Sequence, residues 1–307
     1  MTLSGNILLT GGAGYLGRAI VRRATRSGWP CTFTILSRDA HKHQLMRLEF
    51  PNCRYVLGDV ADYDSVYKAI VGHDLVIHAA AMKHIVDAEW NVEETIKTNV
   101  TGSINVARAC VEASVKRCVG ISTDKACHPV NVYGASKMQM ERIFQEYNRR
   151  GITGFNLCRY GNVLASTGSV ITDWQRKLKD NPNRIETTSD EMSRFWLSVE
   201  QAVDIILIAL SEPAGTIAIP KLKAASMGAL ESWYIPKGVE IAHKGLRPGE
   251  KIHEELLTEE ESPFAMDNGA HYTLWPSTTH AIRKTIEHYS SDNAPQLTRD
   301  EFEALLK

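Results

Sequence analysis

This chain of 307 residues contains no apolar run of the roughly 18 residues needed to span a bilayer. No secretory signal is visible either. Its six cysteines, at positions 31, 53, 110, 118, 127 and 158, form no CxxC pair, so zinc-ribbon and dithiol-redox chemistry lack their usual signature. They read as reduced thiols, mostly inside strands and helices, and nothing suggests a metal site. A formal net charge of −1 with 23% charged residues argues against the basic footprint of a nucleic-acid binder. Low-complexity segments are missing, and so is any internal repeat beyond a βα alternation. These absences describe a cytoplasmic protein with no membrane or nucleic-acid partner. With 43% hydrophobic residues, the chain can build one large or two modest domains.

The N-terminal segment carries a strong signal. Asn6–Thr10 reads as a short buried strand and runs straight into Gly11-Gly12-Ala13-Gly14-Tyr15-Leu16-Gly17, followed by a helical stretch to about Ser27. Strand before and helix after is the context a dinucleotide fingerprint requires. Gly11, Gly12 and Gly14 permit a tight turn and a close approach to a pyrophosphate, Gly17 lets the helix pack on the strand, and the helix N-terminus favours the anion. The second strand, Thr32–Leu36, ends in Ser37-Arg38-Asp39. A hydroxyl and a guanidinium ahead of the carboxylate suit a 2′-phosphate, so NADP is favoured over NAD. The competing reading makes Arg38 a surface charge and gives the ribose to Asp39.

The βα rhythm continues. Strand Arg54–Leu57 precedes Gly58-Asp59-Val60, with Asp59 and Val60 placed to line an adenine pocket. Strand Asp74–His78 runs into Ala79-Ala80-Ala81, small residues past which a cofactor can lie close to backbone. A helix is expected over about 91–114 and a strand over 117–122. This alternation implies an α/β fold of the Rossmann type, a doubly wound parallel sheet with ligands at the C-terminal ends of its strands. Residues 1–165 read as the dinucleotide-binding domain, with return elements near 198–220. Residues 166–307 read as a smaller substrate-binding region.

Ser122-Thr123-Asp124-Lys125 sits at such a strand end, and Tyr133-Gly134-Ala135-Ser136-Lys137 follows. Tyr133 and Lys137 stand four apart and share a helix face. A cation beside the phenol lowers its ordinary pKa of about 10, which makes Tyr133 a candidate base for a sugar or alcohol hydroxyl. Alone, a YxxxK spacing is usually a solvated helix face, and Asp124-Lys125 a charged loop. The strand-end position changes that reading. One acid/base pair suits a redox step, and two suit redox coupled to elimination. His78 and His84 read as locally packed or hydrogen-bonded. Further on, Arg247-Pro248-Gly249-Glu250-Lys251 reads as a turn opening a helix whose positive end meets a diphosphate. A simple ion pair between Arg247 and Glu250 is the alternative. Residues from about 262 receive no chemistry.

Taken in order, the glycine motif, Thr123-Asp124-Lys125, Tyr133 with Lys137, Arg159-Tyr160-Gly161-Asn162-Val163, Ser193-Arg194-Phe195-Trp196 and Arg247–Lys251 resemble the extended short-chain dehydrogenase/reductases that modify nucleotide sugars. More narrowly, the chain is similar to the soluble, inverting UDP-N-acetylglucosamine 4,6-dehydratases over about residues 5–260. His78–His84 and Ile96-Lys97-Thr98-Asn99 fit that group too. The Thr-Asp-Lys triplet is the specific part, because many relatives that retain C5 configuration carry Asp-Glu there. Many membrane-anchored relatives have an N-terminal membrane region and replace the tyrosine, and this chain does neither. Thr172 departs from the pattern, standing where relatives usually have proline.

The resemblance implies a mechanism. Tyr133, activated by Lys137, takes the C4 hydroxyl proton while the C4 hydride passes to NADP. Lys125, with its pKa lowered, removes the acidified C5 proton, and Asp124 protonates the departing C6 hydroxyl. Thr123 holds a substrate oxygen, and hydride then returns to C6. The resemblance also implies cofactor contacts from Tyr15, Leu16, Ala79, Ala80 and Asn99, and a UDP-sugar held by Lys83, Asn162, Ser169, Val170, Ile171, Arg194, Arg247 and Glu250. It implies a homo-oligomer working in polysaccharide or surface-glycan biosynthesis. A C4-epimerase or reductase would share the fold and Tyr133 but not need Asp124-Lys125. A dinucleotide-sensing protein without catalysis would not need Tyr133.

Overall fold

The computed structural model describes residues 2–166, 168–276 and 286–306. The first half alternates strands and helices as the patterning dictates. β1 (Gly5–Thr10), β2 (Cys31–Ser37), β3 (Arg54–Leu57), β4 (Leu75–His78), β5 (Arg117–Ile121) and β6 (Gly154–Cys158) are joined by helices. These are α1 (Tyr15–Arg26), α2 (Ala40–Glu49), α3 (Tyr63–Ile70), α4 (Ile85–Trp90), α5 (Val92–Thr95), α6 (Gly102–Glu112) and α7 (Val132–Asn148). From Ile7 onward β1, and β4 throughout, are apolar apart from Thr10 and His78, as strands covered on both faces must be.

Past β7 (Asn162–Val163) and α8 (Val170–Asp180) the chain makes β8 (Arg184–Thr187) and β9 (Ser193–Leu197). It then returns through α9 (Val199–Ser211) and β10 (Ile217–Pro220). The remainder forms β11 (Lys223–Ser226), α10 (Met227–Tyr234), β12 (Glu240–His243), β13 (Glu255–Leu257), β14 (Ala265–Asp267), β15 (His271–Leu274), β16 (Tyr289–Ser290) and α11 (Arg299–Leu305).

The main sheet runs β14-β15-β10-β6-β5-β4-β1-β2-β3. Its strands from β3 across to β10 are parallel, while β15 and β14 close the edge as an antiparallel pair. The order reverses between β1 and β4, the switch point at which doubly wound sheets bind ligands. The Rossmann-type expectation therefore agrees with the topology. The β14–β15 edge brings residues 265–274 back to the large sheet, beyond the return expected near 198–220.

Two apolar cores result. The larger is centred on Ile7, Leu8, Val76, Ile77, Val119 and Phe155 inside the main sheet. The smaller joins Leu164, Ile171, Trp174, Trp196, Leu230 and Phe302 under the C-terminal region. The long helix expected over 91–114 is interrupted: Ile96–Thr101 is a π turn between α5 and α6. Such turns cluster at functional sites, and this one carries Asn99. No helix among the described residues is long and apolar enough to cross a membrane.

Candidate active site

The glycine loop folds as its sequence requires. Gly11 adopts φ +65°, and a Cβ there would sit 2.7 Å from the Ala80 Cα. The β1 and β4 ends therefore approach each other over a floor that any side chain would fill. Gly14 begins α1 with no side chain capping the helix, which leaves the first-turn amides for an anion. Half-buried Leu16 packs on the large core behind Tyr15, the ring of which is exposed. On the β4 side, Ala79 donates its amide to the Thr10 carbonyl at 3.1 Å, and the Ala80 amide reaches Thr10 Oγ1 at 3.3 Å. His78 is buried between Thr10 and Ser103, and burial drives its pKa down to about 3, so it is a neutral packing residue.

At the β2 end, Ser37 Oγ pairs with His43 Nε2 at 2.8 Å. Arg38 extends its guanidinium to Glu94 at 3.1 Å and Asp59 at 3.5 Å. Asp39 is spent on α2, accepting the Lys42 amide at 2.9 Å as its N-cap. Val60 is buried under Gly102. Asn99 is buried with every polar atom taken. Its Oδ1 accepts the Met82 amide at 2.8 Å, and its Nδ2 donates to the Met82 carbonyl and to Ser136 Oγ, both at 2.9 Å. Asn99 thus shapes the cofactor side by tying the 79–84 loop to α7 rather than by offering a free amide.

The acid/base groups converge at the C-terminal end of β5. Thr123 caps a short 3₁₀ turn, Asp124–Ala126, and its hydroxyl donates to Asp124 Oδ1 at 2.8 Å. Gly134 brings the tyrosine helix onto that turn: a Cβ there would lie 2.2 Å from the Lys125 carbonyl oxygen. Asn131 Oδ1 caps α7 by accepting the Gly134 amide at 2.7 Å. Its Nδ2 donates to the Gly249 carbonyl at 2.8 Å. A glycine two positions into a helix is a sequence signal for close backbone approach that the motif-based reading passes over.

Electrostatics correct two expectations. Burial pushes the Tyr133 phenol up to about 12, and the cation with the largest opposing effect is Lys125 rather than Lys137. Lys137 is itself forced down to about 8 by burial, against the pull of Glu141, and its Nζ lies 3.1 Å from Met140 Sδ. Lys125 departs further from expectation. Burial presses its pKa down, but Asp124 and Glu254 outweigh that, so the ammonium is held above its ordinary range. Its Nζ donates to Asp124 Oδ1 at 3.0 Å and to Asn162 Oδ1 at 3.3 Å, and it lies 3.4 Å from Glu254 Oε1. Asp124 Oδ2 is buried without a hydrogen-bond partner. Glu254 belongs to no motif read from the sequence. Its signal is tertiary, because the β13 segment alone brings it to the site.

The substrate-side residues divide. Asn162 faces Lys125. Ser169 spends its hydroxyl as the N-cap of α8, Val170 is half-buried, and Ile171 is buried in the smaller core. Lys83 sits on the loop leading to α4, beside His84, whose ring would meet a Cβ at Gly168 at 2.2 Å. Arg194 is buried, with its guanidinium on the carbonyls of Ser193 (2.7 Å), Ile252 (3.0 Å) and Lys251 (2.9 Å). Those contacts overturn the expected helix after Arg247. The carbonyls of residues 251 and 252 go to Arg194, and the Ser193 amide also takes Ile252 O, so no i to i+4 ladder can start. Arg247–Lys251 is a turn leading to β13, with Arg247 paired to Glu250 at 2.5 Å.

Comparison with known proteins accords with this geometry. The model of a family described as polysaccharide biosynthesis protein matches residues 7–275. A Campylobacter jejuni protein named UDP-N-acetylglucosamine 4,6-dehydratase (inverting) is 38% identical over 280 residues, covering 89% of this chain and 83% of its own length. A Rickettsia bellii protein named UDP-glucose 4-epimerase is 33% identical, covering 100% of this chain and 96% of its own. The X-ray structure of Pen from Bacillus thuringiensis superposes with a TM-score of 0.91 at 33% identity, covering 99% of this chain and 97% of that one. The chain belongs to the polysaccharide biosynthesis protein family.

Proposed function

We infer that this protein is a nucleotide-sugar 4,6-dehydratase that takes UDP-N-acetylglucosamine, with inversion at C5. The observation that carries the reading is the buried Asp124–Lys125 pair, bonded at 3.0 Å and packed beside Tyr133. An epimerase or reductase needs one acid/base group for C4, and this site supplies a second pair. The identity to a protein of that name supports the substrate. The floor between Gly11 and Ala80 and the uncapped start of α1 fit a nicotinamide dinucleotide. Arg38 at the β2 end, with Asp39 committed to α2, favours NADP over NAD. Bound there, the cofactor would supply hydride acceptance from C4 and hydride return to C6.

The chain's own residues account for the proton movements. Tyr133 takes the proton of the C4 hydroxyl, with Thr123 hydrogen-bonded to it and Lys125 favouring its phenolate. Lys137 completes the Tyr133 helix face on the cofactor side. The resulting ketone acidifies the C5 hydrogen. Proton transfer along the 3.0 Å bond from Lys125 Nζ to Asp124 Oδ1 converts an ion pair into an amine and a carboxylic acid. The amine removes the C5 proton, and the acid protonates the leaving C6 oxygen. Sharing one proton resolves the conflict between an ammonium that must be a base and a carboxylate that must be an acid. Lys83, Asn162, Arg247 and Glu250 form the polar side of the proposed UDP-sugar site, Ser169 and Val170 its α8 wall, and buried Ile171 and Arg194 its support. Exposed Val86, Trp90, Val92 and Ile96 are consistent with a homo-oligomer.

The test is proton and carbon NMR of UDP-N-acetylglucosamine with the protein and NADP in D₂O. A 6-deoxy-4-keto product with deuterium at C5 and inverted configuration is expected. Retained C5 configuration would remove the inverting assignment, and a product changed only at C4 would make the protein an epimerase or reductase.

A further inference from the structure

Lys125 is held by more than the proposed chemistry accounts for. An ammonium has three donors, and three acceptors surround this one: Asp124 Oδ1, Asn162 Oδ1 and Glu254 Oε1. Glu254 is only 2% exposed, and its backbone is fixed on both sides. Its amide donates to Ser291 Oγ at 2.9 Å, and its carbonyl accepts the Ser291 amide at 2.8 Å and Ser290 Oγ at 3.3 Å. Its second oxygen, Oε2, is buried without a hydrogen-bond partner, 4.0 Å from Lys251 Nζ. Lys251 donates instead to the Cys127 carbonyl at 2.6 Å. An ion pair kept for stability satisfies its carboxylates, because an unmatched buried oxygen is costly. This protein contains such a pair elsewhere: both Glu141 oxygens are bound by Arg159. Glu254 leaves an oxygen unmatched beside the acid/base pair.

We propose that Glu254 is a positioning residue for Lys125: together with Asn162 it orients the amine, so that its lone pair forms where the bond to Asp124 now lies, and its charge keeps in the pair the proton that Lys125 and Asp124 share. The proposal rests on the dehydratase reading, in which Lys125 takes the C5 proton. Before elimination Lys125 is an amine, Asp124 an acid and Glu254 a carboxylate. The C5 proton moves to Lys125 Nζ, and the C5–H electron pair forms the C5–C6 double bond. The C6–O bond breaks as its oxygen takes the Asp124 proton and leaves as water. Lys125 is then an ammonium and Asp124 a carboxylate, and Glu254 carries its negative charge throughout. The other titratable and charged groups around the amine are Tyr133 from α7 and Arg194 from β9, with Lys251 and Glu250 behind them on the segment before β13. Burial and Arg194 oppose protonation of Lys125, while Asp124 and Glu254 favour it.

The test measures C5 deuterium incorporation into UDP-N-acetylglucosamine with NADP in D₂O, as a function of pH, for the wild type, Glu254→Gln and Glu254→Asp. The amine–acid form carries the same proton as the ion pair, so the rate holds level with pH and falls once the pair loses that proton. Glu254→Gln removes a charge that holds the proton and moves that fall to lower pH by about one unit or more, while Glu254→Asp keeps the fall near its wild-type position. A Glu254→Gln variant slowed equally at every pH, or altered only in KM, overturns the proposal. If Lys125→Met still exchanges C5, the underlying assignment of Lys125 fails; if it does not exchange, and Glu254→Gln leaves the fall unmoved, Glu254 alone fails. Should Glu254→Gln not fold, Lys125→Met/Glu254→Gln decides. A double variant that folds shows the two groups to be coupled, and one that also fails to fold shows that Glu254 serves only the fold and overturns the proposal.

Discussion

Asp124 and Lys125 are consecutive in sequence, and the buried side chain of Asp124 bonds to the largely buried side chain of Lys125 at 3.0 Å. Neighbours in a strand point to opposite faces, so a bond between them requires the chain to leave β5 first. The 3₁₀ turn at Asp124–Ala126 does this, with Thr123 as its cap. Acid and base are thereby placed side by side before any substrate arrives.

That arrangement makes Lys125→Met chiefly a lesion of the C5 step. C4 oxidation, assigned to Tyr133, slows with loss of the cation that favours its phenolate but persists, and C5 exchange is lost. The expected result is continued cofactor reduction at 340 nm on adding UDP-N-acetylglucosamine, with C5 deuterium incorporation reduced at least ~10²-fold. Normal 6-deoxy-4-keto product from the variant would remove Lys125 as the C5 base.

Arg38 yields a prediction about cofactor choice. Its guanidinium now faces Glu94 and Asp59, carboxylates that a 2′-phosphate would compete with. Arg38→Ala should weaken NADP binding by about 10- to 100-fold, the range expected for losing a charge-assisted hydrogen bond, and leave NAD binding nearly unchanged. Titration of the two cofactors by fluorescence or calorimetry reads the ratio. Equal losses for both would remove Arg38 from the selectivity argument.

The sequence displays the parts of this protein that depend on local chemistry. The glycine turn, the parallel strands and Asp124-Lys125 with Tyr133 all follow from patterns within about twenty residues, and the sheet order agrees with them. What stayed hidden depends on distant partners. Nothing in Ile96–Thr101 announces a π turn, because its reason lies in Met82 and Ser136, which Asn99 holds together. Arg247–Lys251 has the residues of a helix start, but the Gly249 carbonyl goes to Asn131 and the Lys251 carbonyl to Arg194. Lys125 reads as a base of lowered pKa until Glu254, 129 residues further along the chain, is seen beside it.

Lys137 should show a conflict between stability and activity. Burial holds its pKa at about 8 against an ordinary 10.5, so the unfolded state binds the proton more tightly than the folded one between those values. The penalty is full below pH 8 and is relieved as pH rises towards 10.5. A shift of this size corresponds to roughly 3 kcal/mol. Lys137→Met should therefore raise the urea midpoint at pH 7, lose that advantage near pH 10.5 and suppress C4 oxidation. A destabilised variant at pH 7 would show that the ammonium has a compensating partner.

Arg159 holds the opposite kind of charge site. It is 2% exposed and forks onto two carboxylates, Glu141 with bonds of 2.8 and 2.6 Å and Glu261 with bonds of 2.6 and 2.7 Å. Ser122, one residue before the Thr123-Asp124-Lys125 triplet, donates to Glu141 at 2.5 Å. The cluster therefore joins β5, α7 and the segment after β13 directly behind the site. Burial raises the Glu261 pKa, but Arg159 outweighs that and holds it below the usual range. This contribution to stability is present above the ordinary carboxylate range and disappears as pH falls through the lowered value. Arg159→Met leaves buried Glu141 and half-buried Glu261 without their cation and should cost about 3–5 kcal/mol at pH 7, with a smaller loss in acid, where Glu261 takes up a proton. Lysine at this position restores little, since it lacks the planar fork. Urea denaturation at pH 7 and pH 4 measures both numbers. A loss of equal size at the two pH values would assign the cost to packing rather than to charge.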